Sequence, residues 1–192
     1  MKRTDIINHL IQKNNYKTYL EIGVRDPSGN LDLIKVEHKD GVDPSGKCNF
    51  PITSDKFFEQ LPLEFKYDII FIDGLHLEEQ VDKDIQNSLK HLNEGGTIVM
   101  HDCSPPTYNH QIEEYDRTSA WNGTVWKSYV KLRLSDSNLK MYVVDTDWGV
   151  GVIQKGNQQL FSKPKILNYE FLEKNRAEIL NLISPEKFLE NA

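Results

Sequence analysis

Apolar and polar positions along the chain follow two periods in turn. Near the start Ile6, Ile7, Leu10 and Ile11 share one helical face, which predicts a helix over 4–13 with Thr4 as its cap. Tyr19-Leu20-Glu21-Ile22-Gly23 then predicts a short strand that runs into the turn residues Arg25-Asp26-Pro27-Ser28-Gly29. Leu31–Ile34 is at most a short helix, and a second strand over 39–43 is stopped by Pro44. Ser54 or Asp55 is placed to cap a helix through Phe57, Phe58 and Leu61. The run Tyr67-Asp68-Ile69-Ile70-Phe71-Ile72-Asp73 is continuously apolar at its centre, the mark of a strand buried on both faces of a parallel sheet. Leu77, Val81, Ile85, Leu89 and Leu92 return to helical spacing, and Gly95-Gly96 reads as the stop signal. A strand over 97–102, a polar and aromatic loop over 103–122, a helix over 123–133, strands over 140–144 and 149–154, and a final helix over 169–183 complete the reading.

Strands alternating with helices, and a strand pair at the end, predict a doubly wound α/β sheet in a single domain over 1–192. The core is expected over about 17–155, with 156–192 as a helical extension. In that architecture a ligand binds where the strands end. The predicted ends read Glu21-Ile22-Gly23, Val42-Asp43, Asp73-Gly74-Leu75-His76 and His101-Asp102, so ionisable side chains gather at one rim.

Composition narrows the partners. The net charge is −6, which disfavours nucleic acid, and no apolar run approaches the roughly 20 residues of a membrane-spanning helix. The first residues lack the apolar stretch and cleavage site of a secretory signal. Cys48 and Cys103 are too few for a disulfide framework. A cytoplasmic protein is expected, and the oligomeric state is left open.

Each strand end carries a chemical reading. Gly23 would let a ligand approach the backbone, and Glu21 beside it suits a cationic headgroup rather than a pyrophosphate. Arg25 occupies the second glycine position of the dinucleotide fingerprint G-x-G-x-x-G, which counts against NAD. Asp43, about 20 residues after the first turn, is placed to accept ribose hydroxyls. Asp73 and His76 form an acid–base or metal-ligand pair, and neighbouring strand ends about 5 Å apart would bring His101 and Asp102 to them. Asp73, His101 and Asp102 are the candidate ligands for a divalent cation of the Mg, Mn, Fe or Zn type. A metal-free pocket using the same groups for proton transfer is the alternative. Trp126 and Trp148 are expected to pack in the interior, whereas Trp121 in the loop is left between packing and stacking on a sugar or other polar ring.

The segments YLEIGV, GVDPSG, YDIIFIDGLH, LNEGGTIVMHDC, WNGTVWK and DTDWGVG together resemble the class I S-adenosylmethionine-dependent methyltransferases, in the small branch associated with glycan and natural-product modification. The likeness covers about residues 17–155. It implies a Rossmann-like, mostly parallel sheet of seven strands with a C-terminal antiparallel hairpin. It implies that S-adenosylmethionine meets Glu21 and Gly23 at its methionine end and Asp43 at the ribose, with Ser54 and Asp55 near the adenine. Sugar O-methyltransferases acting on macrolides are similar in carrying D-x-x-H at the fourth strand, and Asp73 and His76 match that pattern as magnesium ligand and base. The next strand end has His101-Asp102 where those enzymes have two acids. The expected function is O-methylation of a hydroxyl on a glycan or other small molecule, with His76 and Asp73 catalytic. The alternatives are a nucleotide-dependent oxidoreductase and a non-catalytic nucleoside-binding module of the same fold.

Overall fold

The computed structural model describes residues 1–115, 120–162, 164 and 166–191. Part of the 103–122 loop, at 116–119, therefore lies outside the described residues. The elements in chain order are α1 (Arg3–Asn14), β1 (Thr18–Ile22), β2 (His38–Val42), α2 (Ser54–Gln60), β3 (Tyr67–Ile72), α3 (Glu78–Lys90), β4 (Leu92–Met100), α4 (Val125–Ser135), β5 (Leu139–Val144), β6 (Val150–Lys155), α5 (Tyr169–Ile179), β7 (Leu182–Ile183) and α6 (Pro185–Asn191). Seven strands form one sheet in the order β2-β1-β3-β4-β6-β5-β7. β6 runs antiparallel to both of its neighbours, β4 and β5, and every other pairing is parallel. This is the expected doubly wound sheet with a reversed hairpin.

Alternation along β3 separates the two layers. Ile70 and Ile72 face a core shared with Phe57 of α2, Ile85 of α3, Trp126 of α4 and Leu172 of α5. Ile69 and Phe71 face the opposite core with Ile6, Ile7 and Leu10 of α1 and Phe188 of α6. Both faces are covered, which is why this strand reads as an unbroken apolar run.

Four local expectations change. Thr4 does not cap α1; its hydroxyl donates to Asn30 Oδ1 at 2.6 Å, and Lys2 occupies the cap position. The cap of α2 is Thr53, whose side chain accepts from Lys56 N, one residue ahead of the expected pair. Gly95 and Gly96 do not end α3, because β4 already begins at Leu92, opposite Tyr67. Gly95, at φ +74, belongs to the irregular start of that strand. The C-terminal segment is more than a helical extension: it adds β7 beside β5 and buries Phe188 completely. Among the described residues no helix is long and apolar enough to cross a membrane.

Candidate active site

The carboxyl ends of β1 to β4 open into a cleft of about 1410 Å³. Glu21, Gly23, Asp43, Ser54, Asp55, Asp73, His76, His101 and Asp102 all line it, so the sheet gathers every candidate into one cavity. Parallel register does this directly. Ile22 pairs with both Val42 and Ile72, and Ile72 pairs with Met100, so the next residues leave the sheet side by side.

At the β1 end, Gly23 has φ +91, and a Cβ there would lie 2.1 Å from Asp73 O. Only glycine permits this crossing of the two strand ends. Arg25 N and Ser45 N donate to the two carboxylate oxygens of Asp43 at 2.8 and 2.6 Å, tying the turns after β1 and β2 together. Each oxygen keeps a lone pair for a ligand hydroxyl. Glu21 is 2% exposed, and its Oε2 accepts from Tyr19 Oη and Asn30 Nδ2 at 2.5 and 2.8 Å. Burial dominates over these bonds and pushes its carboxyl up to about 7. A cationic ligand group would reverse that balance.

Ser54 and Asp55 are joined by Gln80 Nε2, at 3.2 and 2.9 Å, and the same amide donates to Asp84 Oδ1 at 3.2 Å. Burial raises the Asp84 carboxyl to about 6. Asp84 lines the cleft and was not foreseen. The signal was available: it occupies a core position of α3 beside Val81, Ile85 and Ser88, where an acid is out of place.

The polar centre is a network of acids and bases. His76 Nε2 lies 3.3 Å from Asp73 Oδ1, and His76 Nδ1 lies 3.3 Å from Asp102 Oδ2. His101 Nδ1 lies 3.1 Å from Asp102 Oδ2 and 3.3 Å from Asp73 Oδ1, while its Nε2 is 3.6 Å from Asp147 Oδ2. Burial opposes a charge on His101, but bonds to Asp102, Asp147 and Asp73 outweigh it and push its pKa up to about 12. Burial also works against ionisation of Asp73, yet His101 and His76 bring its carboxyl down to about 2. His76 is raised as well, since Asp73 and Asp102 overcome its desolvation.

Both ring nitrogens of His101 face carboxylates, so in this arrangement its protonated ring serves them as a counter-ion. Among the described residues, Asp73, His76 and Asp102 offer ligand atoms within 4.8 Å of one another.

Arg3 and Asp147 complete the network; Arg3 was unforeseen, and Asp147 was noted only within the DTDWGVG segment. Arg3 N donates to Asp147 Oδ2 at 2.8 Å, and Arg3 Nε stands 3.7 Å from Asp73 Oδ2. Sequence spacing gives no hint of this, because the contact joins residues 144 apart. Asp102, Asp147 and Trp148 hold left-handed backbone at φ 60, 48 and 65. Such strained non-glycine positions concentrate at functional sites.

The segment 121–124 clamps His76. The Trp121 ring stacks on the imidazole at 5.2 Å, and Trp121 O lies 3.1 Å from His76 Nδ1. Asn122 Nδ2 donates to Asp102 Oδ1. Gly123, at φ +57, passes so close that a Cβ would be 2.0 Å from His76 O. Thr124 N donates to His76 O, and Thr124 Oγ1 receives Glu78 N at the start of α3, both at 2.8 Å. Trp126 is fully buried, as expected. Trp148 is not: it is 41% exposed and lines the cleft, because the tight turn between β5 and β6 lifts it out of the sheet.

Residues 32–103 match the protein family described as a methyltransferase domain. No curated protein matches the chain. Among solved structures, a presumed O-methyltransferase from Klebsiella pneumoniae is similar with a TM-score of 0.57 at 12% identity, over 80% of each chain. DesVI of Streptomyces venezuelae gives 0.54 at 9% identity, over 80% of this chain and 89% of that one. MycE of the mycinamycin biosynthetic pathway, solved with Mg, SAH and mycinamycin VI, gives 0.51 at 16% identity. That match covers 82% of this chain and 50% of MycE. At these identities the likeness is one of fold. The family segment contains β2, β3 and β4, and with them Asp43, Asp73, His76, His101 and Asp102. The chain thus has the fold of the class I methyltransferases, and its residues 32–103 match the methyltransferase-domain family.

Proposed function

We propose that the protein transfers a methyl group from S-adenosylmethionine to a hydroxyl of a glycan or other small molecule. One observation carries the reading. A single cleft joins an acid-lined, glycine-turn half at β1 and β2 to a histidine–aspartate half at β3 and β4. Glu21 receives the cofactor's ammonium, Gly23 lets its methionine end approach the backbone, and Asp43 accepts the ribose hydroxyls. Ser54 and Asp55 border the adenine.

Proton transfer falls to His76. The Trp121 carbonyl can only accept, so Nδ1 carries the hydrogen and the lone pair of neutral His76 is on Nε2. The acceptor oxygen attacks the methyl carbon, the carbon–sulfur bond electrons return to sulfur, and the hydroxyl proton passes to Nε2. Asp73, 3.3 Å from that nitrogen, stabilises the imidazolium formed. Trp121, Tyr115 and Trp148 give the cleft an aromatic wall suited to a sugar or other ring. Single-domain organisation over 1–192 and a cytoplasmic location accompany this reading.

A divalent cation is the second reading, favoured by the three convergent ligand atoms of Asp73, His76 and Asp102. Two carboxylates and an imidazole suit magnesium or manganese, which would polarise the acceptor hydroxyl. It would also occupy the lone pair of His76, so the two readings assign that residue differently.

Thermal unfolding with S-adenosylhomocysteine tests the proposal, repeated with manganese chloride. A midpoint that rises with S-adenosylhomocysteine concentration is expected, because a ligand of the native state stabilises it. No rise at millimolar ligand, with or without manganese, would refute the cofactor assignment.

A further inference from the structure

Three acids that line the cleft, Glu21, Asp73 and Asp102, pose a problem for an amino-acid ligand. They suit an ammonium and a sulfonium, but they repel the carboxylate on the same carbon as the ammonium. A cation must answer it. Among the described residues lining the cleft, the only arginine or lysine side chains are Arg3 and Arg25. Arg25 stands beyond the β1 turn, with its backbone N–H on Asp43, at the ribose end. Arg3 lies at the other end, beside Asp73 and Asp147.

The Arg3 guanidinium is also under-used. Its one hydrogen bond runs from Nη1 to Asp147 Oδ2 at 3.4 Å, and the 3.3 Å approach of Nη1 to the protonated His101 Nε2 sets two donors face to face. Nε is buried and has no hydrogen-bond partner, since Asp73 Oδ2 at 3.7 Å is too far. A buried N–H without an acceptor is costly, and a guanidinium presents paired donors that match a carboxylate. The side chain is held in place from behind: Arg3 N bonds Asp147 at 2.8 Å, and Met1 O accepts from Thr146 Oγ1 at 2.7 Å. The first turn of α1 is therefore fixed to the β5–β6 turn across the methionine end of the cleft.

We propose that Arg3 is the carboxylate-recognition residue of the cofactor site. It selects the intact amino-acid end of S-adenosylmethionine and S-adenosylhomocysteine over analogues that lack the carboxylate. The assignment rests on the methyltransferase reading.

The test compares two thioethers by calorimetry: S-adenosylhomocysteine, and its decarboxylated analogue, which keeps the ammonium. Wild type should prefer S-adenosylhomocysteine by about tenfold to a hundredfold, the range for hydrogen bonds to a charged group. Arg3→Gln should bring that preference to within about threefold, whatever its overall affinity, because the ratio cancels changes common to both ligands. Arg3→Lys should retain part of it and serves as the folded control, its near-ultraviolet circular dichroism matched to wild type. An unchanged preference in Arg3→Gln would overturn the assignment. Equal binding of both thioethers by wild type would overturn it and leave the cofactor reading standing. Binding of neither by wild type would overturn both.

Discussion

Replacing Glu21 by glutamine should stabilise the unliganded protein while weakening its cofactor site. The carboxyl is 2% exposed and titrates near 7 in the folded chain, against the model-peptide value of 4.5. Burial is the main cause. The folded state therefore holds a proton that the unfolded state releases between about pH 4.5 and 7. Stability from the neutral carboxyl is fully present below that window and is lost as pH rises through it. The loss amounts to about 3 kcal/mol by the proton-linkage relation. Glutamine keeps an oxygen for the Tyr19 and Asn30 donors and does not titrate. At pH 8 the variant should exceed wild type by about 2–3 kcal/mol, and at pH 4.5 the two should agree within about 1 kcal/mol. Urea unfolding at both pH values, with unchanged denaturant slopes, measures this. Affinity for S-adenosylhomocysteine should fall about tenfold at pH 8, since the ligand ammonium loses its charged partner. A stability difference that does not change with pH would refute the account of a buried, proton-holding Glu21.

Gly123→Ala should lower stability by about 1–2 kcal/mol from the left-handed backbone alone, and by more because its Cβ would strike the His76 carbonyl. An unchanged urea midpoint would show that the 121–124 segment does not clamp His76. His101→Asn should cost about 3–5 kcal/mol at pH 7, because Asp73, Asp102 and Asp147 would face one another without their shared cation. Part of that loss should return as pH falls toward 4 and the carboxylates protonate; a loss equal at both pH values would remove His101 from the counter-ion role.

The site shows how unevenly sequence reports on structure. Gly23, Asp43, Asp73, His76 and Asp102 were legible because each follows a strand whose apolar run marks its end, and parallel register turns strand ends into neighbours. Asp84 was half legible, as an acid on the buried stripe of α3. Arg3 was not legible, and Asp147 and Asn122 were legible only as members of the DTDWGVG and WNGTVWK segments, with no role of their own. They join the network from α1, the β5–β6 turn and the loop before α4, contacts that local sequence does not encode. Trp148 was misplaced for a related reason: its burial depends on the turn that carries it, where positive φ turns the ring outward.

By itself, then, the sequence determined the alternation of strands and helices, the buried parallel centre and the rim on which the acids gather. These follow from period and residue type, which act over a few residues. Only the tertiary structure decided the charge state of that rim. It set His101 among three carboxylates, brought Arg3 to Asp73 from the far end of the chain, and laid Trp121 on His76. Those effects depend on distances of a few ångströms in a desolvated cleft, where a neighbour remote in sequence outweighs a residue's intrinsic chemistry.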